Sequence, residues 1–171
     1  MGTDGLAMDQ RLLGFADGLQ PATAIEAPAP GPQLHLLTFM LDREEFGVPV
    51  TRVREVIRVG EITRVPQVPP HVRGVANLRG RILAVVEIRS RLGLSPAEIS
   101  PASRIVVVDV AGRSLGLLVD RVSQVTKVPV ESVAPVPEEV ASTESDYVTG
   151  VARRDSRLII LLDLDRVLLN R

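Results

Sequence analysis

The sequence repeats itself, and this repeat constrains the fold more strongly than any other feature. Residues 74–92, GVANLRGRILAVVEIRSRL, align without a gap on residues 150–168, GVARRDSRLIILLDLDRVL. Residues 46–59, FGVPVTRVREVIRV, align on residues 115–128, LGLLVDRVSQVTKV, at nearly the same offset. Chance can supply one such match in a chain rich in valine, but two in the same order indicate an internal duplication. The sequence therefore predicts two similar subdomains.

The aliphatic runs along the chain predict short β-strands. Runs of Val, Ile and Leu bounded by turn residues are typical of strands, and no helical pattern long enough for a βαβ unit separates them. The segment AGR at 111–113 predicts a hairpin turn, and residues 88–94 and 163–170 predict short helical segments. The runs cover residues 34–41, 81–88, 104–110, 114–120 and 157–164. We therefore predict an all-β fold of two small barrels that pack together and leave a groove between them.

The composition excludes several classes of protein. Of the 171 residues, 45% are apolar and only 2% are aromatic, so Val, Leu and Ile must build the core. A formal net charge of −1 gives no reason to expect binding to nucleic acid or to an anionic membrane surface. The absence of cysteine excludes disulfides and thiolate chemistry and is typical of a cytosolic protein. No apolar run approaches the ~20 residues of a membrane span, and no secretory signal is visible.

The first 33 residues differ from the rest and predict a separate leader. Ala, Pro and Gly dominate them, and residues 27–33 (APAPGPQ) predict a stiff, extended linker. The residues that recur at helical spacing are Leu12, Phe15, Ala16 and Leu19. One interpretation is a disordered leader with a transient helix, and the other is a helix that docks on a partner. We expect residues 1–33 to form a disordered Ala/Pro-rich leader and residues 34–171 to form one domain of two interlocked barrels.

No pattern in the sequence indicates catalysis, a metal site or a cofactor. His35 and His71 are far apart and lack the spacing of metal ligands. Neither a glycine-rich phosphate loop nor a GxSxG motif is present. The acidic run of Asp42, Glu44 and Glu45 is typical of a solvated hairpin turn. We therefore expect no enzyme activity and no cofactor, with an uncharacterised enzyme and a small-molecule sensor as the alternatives from other classes.

A polar elbow is the place where the two copies of the repeat differ most. Residues 77–80 (NLRG) in the first copy become RRDS at 153–156 in the second, and Glu55 becomes Gln124. If the fold alone required the elbow, both copies would keep it. The difference therefore indicates that the first copy carries a site for a partner, and Arg79 is the leading candidate residue for recognition.

Three motifs together give the chain a resemblance to a known family. They are V-x-E-V at 53–56, P-x-x-P-x-x-V-x-G-V at 66–75 and N-L-R-G-x-I at 77–82. With these motifs, residues 34–169 closely resemble the CheW family of bacterial chemotaxis coupling proteins. The resemblance implies two SH3-like five-stranded β-barrels in a non-enzymatic adaptor, which joins the cytoplasmic tip of a chemoreceptor to the regulatory domain of the histidine kinase CheA. It also implies a cytoplasmic protein that is recruited to membrane-associated receptor arrays without inserting into the membrane.

The resemblance further implies that the helical hairpin of a chemoreceptor, a methyl-accepting chemotaxis protein, lies in the groove between the barrels. The residues at the matching receptor-binding positions are Val53, Glu55, Gly74, Asn77, Arg79, Ile105 and Val125. Val53, Ile105 and Val125 would supply the apolar surface that an amphipathic helix needs. Arg79 and Glu55 would supply charges at the rim, or would pair with each other. The alternatives are that Arg79 bonds to local backbone carbonyls, that Glu55 is a solvated charge and that Gly74 and Gly80 serve turn geometry.

Two departures from the family pattern qualify the resemblance. Glu87 stands where the family usually has Asp, and the Pro-rich leader is longer than a minimal member requires. The alternative function is a CheW-like scaffold in a chemosensory pathway that controls surface motility or development instead of chemotaxis. The residues that contact the kinase are not assigned by the resemblance.

Overall fold

A computed structural model describes residues 31–96, 98–137 and 146–169 of the chain. The prediction of a disordered leader therefore lies outside the described residues, except that Gln33, its last residue, already begins a strand. None of the helices within the described ranges is long and apolar enough to cross a membrane.

The described residues form eleven strands, which confirm the predicted all-β fold class. The strands of the first half are β1 (Gln33–Leu41), β2 (Glu44–Pro49), β3 (Val53–Arg58), β4 (Val72–Leu78) and β5 (Arg81–Val86). The strands of the second half are β6 (Arg104–Val110), β7 (Arg113–Val119), β8 (Arg121–Pro129), β9 (Val133–Ala134), β10 (Val148–Arg154) and β11 (Arg157–Leu162). The predicted hairpin turn at 111–113 is confirmed, because it joins β6 to β7.

Short helical segments connect or follow the strands. The α-helix α1 (Leu164–Leu169) follows β11, and its Leu164, Val167 and Leu168 are buried. The Asp163 side chain accepts a hydrogen bond from the backbone N–H of Arg166, as an N-terminal capping residue does. The 3₁₀ turns are Val50–Arg52, Ser90–Leu92 and Val130–Ser132. The helical segments predicted at 88–94 and 163–170 are therefore confirmed.

Each of the two sheets combines strands from both halves of the repeat. One sheet has the order β9-β10-β11-β2-β1-β8, and the other has the order β3-β6-β7-β5-β4. The repeat alignment places β8, β1, β2, β11 and β10 on β3, β6, β7, β5 and β4, so the two sheets share one strand order. We call the first sheet barrel 1 and the second barrel 2. The halves thus exchange their first hairpins, because β1–β2 lies in barrel 1 while β3–β5 lie in barrel 2.

The parallel strand pairs confirm the duplication at atomic detail. Strand β2 runs parallel to β11 in barrel 1, as β7 runs parallel to β5 in barrel 2. A Cβ atom added to Gly47 on β2 would lie 3.0 Å from the Cγ2 of Ile159. A Cβ atom added to Gly116, the aligned glycine on β7, would lie 3.1 Å from the Cδ2 of Leu83, which aligns with Ile159. Both barrels therefore use a glycine at the same close approach between strands.

Strands β1 and β6 are buried on both faces, and this joins the barrels through one core. Leu36 on β1 packs inside barrel 1, and the aligned Ile105 on β6 packs inside barrel 2. The alternate residues of both strands point the other way, into a core that the two barrels share. These residues are Leu37, Phe39 and Leu41 of β1 and Val106, Val108 and Val110 of β6.

A buried arginine also ties the two barrels together. The side chain of Arg89, which follows β5 of barrel 2, is 5% exposed and contacts the carboxylates of Asp42 and Asp120. Asp42 lies in the β1–β2 turn of barrel 1, and Asp120 joins β7 of barrel 2 to β8 of barrel 1. Burial opposes the charge of Arg89, but the two carboxylates outweigh this effect and raise its pKa above the ordinary value. The arginine therefore stays charged while it connects three segments of the fold.

Candidate functional site

The elbow at residues 77–80 forms a tight hairpin turn between β4 and β5. Arg79 and Gly80 both have positive φ angles, of 53° and 83°. The Oδ1 atom of Asn77 accepts a hydrogen bond of 3.0 Å from the backbone N–H of Gly80, which stabilises the turn. Asn77 and Gly80 thus determine the turn geometry, and Arg79 lies at its tip.

The second copy makes the same turn with a residue that suits it better. Asp155 aligns with Arg79 and has a similar φ of 55°. Short polar side chains such as Asp visit the left-handed region more readily than long side chains, because they can hydrogen-bond locally. A non-glycine residue in this region costs on the order of 1 kcal/mol. Only the first copy has an arginine at this strained position. Because the turn itself does not require arginine, its presence points to a role for the side chain.

Arg79 forms an ion pair with Glu55 on the neighbouring strand β3. The Nη2 of Arg79 lies 3.0 Å from the Oε1 of Glu55, and their side chains are 78% and 27% exposed. Exposed pairs of this kind contribute about 0–1 kcal/mol to folding, so this pair positions two charges more than it stabilises the barrel. Within the described residues, the Arg79 guanidinium makes no hydrogen bond to a backbone carbonyl. The structure therefore favours mutual pairing over a purely local role for Arg79.

A cleft of about 670 Å³ opens beside this ion pair on the surface of barrel 2. Its floor includes Leu83 and Val107, whose side chains belong to the interior of the barrel. On one wall the Nη1 of Arg54 lies 3.1 Å from the Oδ2 of Asp109. Strands β3 to β7 line the cleft, so it belongs to barrel 2 alone and not to a groove between the barrels.

Three further residues of the cleft were missed by sequence reasoning. Ile82 is 79% exposed and lies opposite Asn77 in the β4–β5 hairpin. Arg81 and Arg113 are exposed on the same cleft, and neither forms an ion pair with any described residue. The aliphatic run at 81–88 predicts a strand that is buried throughout. Neighbouring side chains in a strand point to opposite faces. Because Leu83 points inward, Ile82 must point outward, and this alternation is the signal that could have identified it.

Gly74 and Ile105 are both buried, although the resemblance implied that they bind the receptor. Gly74 has a φ of 154°, and an added Cβ atom would lie 2.3 Å from the carbonyl oxygen of Thr63. Thr63 exchanges two backbone hydrogen bonds of 2.8 Å with Val75, so Gly74 allows the 61–70 connector to pair with β4. Ile105 is 1% exposed inside barrel 2. Neither residue presents a side chain at the surface.

Val53 and Val125 occupy different barrels. Val53 on β3 is half-buried against the shared core and pairs with Val108 of β6. Val125 on β8 pairs with Leu37 of β1 and is 61% exposed. The structure therefore brings Glu55, Asn77 and Arg79 together at one elbow, whereas Val125 lies on barrel 1.

His71 lies outside the cleft and is next to Arg91. The Nη2 of Arg91 is 3.2 Å from the Nδ1 of His71, and the Arg91 guanidinium carbon is 5.7 Å from the centroid of the Tyr147 ring. Burial, together with the charge of Arg91, lowers the pKa of His71 below 6.5. No group of three or more carboxylate or histidine side chains within the described ranges could hold a metal ion.

Known proteins resemble the chain across both barrels. A family model described as "CheW-like domain" matches residues 35–171. The chemotaxis protein CheW of Rhizobium meliloti (strain 1021) is 36% identical over 132 residues, which cover 77% of this chain and 85% of that protein. Protein FrzA of Myxococcus xanthus is 28% identical over 152 residues, which cover 88% of this chain and 94% of that protein. The crystal structure of the scaffolding protein TtCheW from Thermoanaerobacter tengcongensis superposes with a TM-score of 0.73 at 32% identity, covering 80% of this chain and 92% of that one.

Proposed function

Because the chain belongs to the CheW family, we propose that it is a non-enzymatic adaptor, which couples the cytoplasmic tips of chemoreceptors to the histidine kinase CheA in bacterial chemotaxis. The observation that carries this proposal is the elbow of barrel 2, where an exposed Arg79 pairs with Glu55 beside an open cleft. The aligned turn of barrel 1 has the same backbone but carries Asp155 in place of the arginine. Both barrels thus keep the turn, while the exposed arginine at its tip, paired with a glutamate, is present in barrel 2 and supports a binding role there.

The proposed receptor site keeps the seven positions implied by the resemblance and divides them by role. Glu55, Asn77 and Arg79 would contact the receptor directly, since they meet at the exposed elbow. Val53 and Val125 would add apolar contacts, and Val125 would extend the interface onto barrel 1. Gly74 and Ile105 would make no receptor contact and would serve only to keep barrel 2 folded, because the first admits the Thr63 backbone and the second fills the interior. Ile82, at 79% exposure, would join the direct contacts.

The chemistry of this surface suits one face of a receptor helical hairpin. An amphipathic helix presents an apolar stripe with charges beside it, and it needs an apolar contact bordered by charges that fix its register. Ile82 supplies the exposed apolar contact at the cleft, and Arg79, with Glu55 beside it, supplies the charges. An apolar residue near the centre and charged residues at the rim are the usual arrangement of a protein interface.

The remaining parts of the proposal concern the kinase, the leader and the location. The regulatory domain of CheA would bind other surfaces of the barrels, for which no residues are assigned. Residues 1–33 would remain a leader outside the CheW-like domain at 34–171. The protein would act in the cytoplasm at membrane-associated receptor arrays, without catalysis of its own.

The second candidate is a CheW-like scaffold in a pathway that controls surface motility or development, and the match to FrzA is compatible with it. FrzA matches 152 residues of the chain, more than the 132 matched by CheW of Rhizobium meliloti. Deleting the gene and measuring swimming chemotaxis separates the candidates. Loss of chemotaxis supports the first, and normal chemotaxis with altered surface motility supports the second.

Reversing the charge of Arg79 tests the proposed receptor site. Arg79→Glu is expected to weaken binding to a receptor signalling fragment by about tenfold or more, because the new carboxylate repels Glu55 and removes the rim cation. Affinity is measured by pull-down and calorimetry, and far-UV circular dichroism checks the fold. Arg153→Glu, in the equivalent elbow of barrel 1, is the matched control and should bind normally. Normal receptor binding by folded Arg79→Glu protein contradicts the site.

Reconstitution tests the adaptor function itself. Receptor, CheA and this protein are combined, and phosphorylation of the kinase is measured with and without a receptor ligand. The proposal requires that receptor control of phosphorylation depends on this protein and is lost with Arg79→Glu. Full receptor control in its absence contradicts the adaptor function.

A further inference from the structure

Glu45 carries a buried carboxylate that residues of the fold satisfy only in part. The acidic run at 42–45 predicts a solvated turn, but the Glu45 side chain is 7% exposed. The Nε of Arg157 lies 3.5 Å from its Oε1, and its Oε2 has no hydrogen-bond partner among the described residues. Burying a charged oxygen without a donor costs free energy, and such a group in a native protein points to a donor from outside the fold. Glu45 therefore has an acceptor that a ligand can satisfy.

Barrel 2 satisfies a carboxylate on the equivalent strand pair with a residue of its own. Asp109 pairs across β6 and β7 with Ser114, which aligns with Glu45. The Nη1 of Arg54 donates to both carboxylate oxygens of Asp109, at 3.3 and 3.1 Å. Barrel 1 has Ser123 at the position that aligns with Arg54. Barrel 1 thus has no arginine where barrel 2 carries its donor, and a partner can supply that donor instead.

Glu45 lines a cleft of about 580 Å³ on barrel 1. The charged residues of this cleft are Arg43, Glu44, Glu45, Arg121 and Arg157. Arg43 and Arg121 are exposed, and neither forms an ion pair with a described residue. Leu158 is 56% exposed and supplies an apolar contact. The cleft therefore presents a buried acceptor, an apolar surface and exposed arginines, and a ligand that matches it must carry all three complementary groups.

We infer that this cleft binds a segment of a partner protein that presents a basic, an apolar and an acidic side chain together. The basic side chain donates to the Oε2 of Glu45, and the apolar side chain packs on Leu158. The carboxylate pairs with Arg43 and Arg121. A small cation alone meets three arginines and two glutamates in the cleft, so repulsion weakens its binding. The added carboxylate matches the surplus of positive charge, which selects a polypeptide with both charges over a simple cation.

Arg157 does not close the way to Glu45. The separation of 3.5 Å is longer than the ~2.7–2.9 Å of a charge-assisted hydrogen bond, so this pair is loose. The Arg157 side chain is 49% exposed and can turn toward solvent, which admits the basic group of the partner. The cleft lies on barrel 1, whereas Glu55 and Arg79 lie on barrel 2. Partner binding at this cleft is therefore independent of the proposed receptor site.

Titration of the full ¹⁵N-labelled chain, followed by nuclear magnetic resonance, tests the site. The probes are ethylguanidinium, which is the head group of arginine, the capped tripeptide Glu-Leu-Arg and the neutral capped tripeptide Gln-Leu-citrulline. Ethylguanidinium and the charged tripeptide should both shift the amide signals of Glu45, Ser123 and Leu158. The charged tripeptide should bind about tenfold more tightly than ethylguanidinium, because it adds an apolar contact and a carboxylate. The neutral tripeptide should leave these signals unchanged.

Variants of the cleft assign the binding to the Glu45 carboxylate. Glu45→Gln and Glu45→Ser, the second of which introduces the residue of barrel 2, should each lose the shifts caused by both charged probes. Glu44→Gln is the matched control, since it makes the same change at the exposed neighbour, and it should keep both affinities within about twofold. Arg43→Ala combined with Arg121→Ala should weaken the charged tripeptide about fivefold without weakening ethylguanidinium. The dispersion of the amide signals shows whether each variant is folded.

Several results overturn the inference. They are unchanged signals with ethylguanidinium, shifts that persist in a folded Glu45 variant, and equal affinities for ethylguanidinium and the charged tripeptide. The last of these assigns the cleft to a small cation instead of a partner protein. Arg79→Glu should bind the charged tripeptide normally, and loss of binding in that variant moves the probe to the elbow of barrel 2. Failure of the receptor function proposed above changes none of these titrations, so the two failures are distinguishable.

Discussion

Replacing Ile105 by alanine is expected to destabilise the fold by about 3–4 kcal/mol while leaving receptor affinity unchanged. Ile105 is 1% exposed inside barrel 2, where it packs with Leu83 and Val107. The substitution removes three carbon atoms, worth about 2.5 kcal/mol of transfer free energy at roughly 0.8 kcal/mol each. The cavity that remains adds to this loss, since the adjacent Gly116 has no side chain that can move into it.

Urea unfolding followed by far-UV circular dichroism measures this loss, and Leu36→Ala is the matched control. Leu36 aligns with Ile105, is 2% exposed and packs inside barrel 1. Leu36→Ala should therefore lower the free energy of unfolding by a similar amount. Receptor affinity, corrected for the folded fraction, should equal that of the unmodified protein in both variants. If Ile105→Ala unfolds at the normal urea concentration but no longer binds receptor, Ile105 is a contact residue and its placement in the core is refuted.

Two further measurements probe the same interior and the histidine environment. Gly116→Ala should lower the free energy of unfolding by less in an Ile105→Ala background, because the added Cβ lies 2.6 Å from the Ile105 Cγ2. A double-mutant cycle should therefore depart from additivity by about 1 kcal/mol. Additive losses of free energy contradict the contact between these two positions. The free energy of unfolding should fall as the pH drops below 6.5, since the pKa of His71 is lowered in the folded state and the unfolded chain takes up that proton first. His71→Gln should flatten this pH dependence, and an unchanged slope contradicts the assigned pKa shift.

Most of the fold could be predicted from the internal repeat in the sequence. The alignment of residues 46–59 on 115–128 predicts that Gly47 and Gly116 occupy equivalent places, and both face the same close approach between parallel strands. The exchange of hairpins between the barrels does not follow from the repeat, because the same alignment fits two separate barrels equally well. The strand pairs that join different halves distinguish the arrangements, and these are β1 with β8, β2 with β11, β3 with β6 and β5 with β7.

The candidate site was predictable only in part. The contrast between the two elbows singled out Arg79, and the change from Glu55 to Gln124 singled out its partner, because both differences are visible along the chain. The position of Ile105 was not predictable in this way, since an aliphatic strand residue can face the interior or a partner with the same neighbours in sequence. Arg113 was missed because it reaches the cleft from β7, which pairs with β5 and lies far from it in sequence.

The exchanged hairpins are consistent with an origin of this fold from a symmetric dimer of single halves. Two free copies of a single half, each lending its first hairpin to the other, would build the same pair of barrels as a symmetric dimer. In such a dimer every substitution appears twice, so the two faces of the assembly must remain identical. Fusion into one chain removes that constraint and keeps the architecture. Barrel 2 has Arg79 where the aligned position of barrel 1 has Asp155, and only the fused chain can encode such an asymmetry.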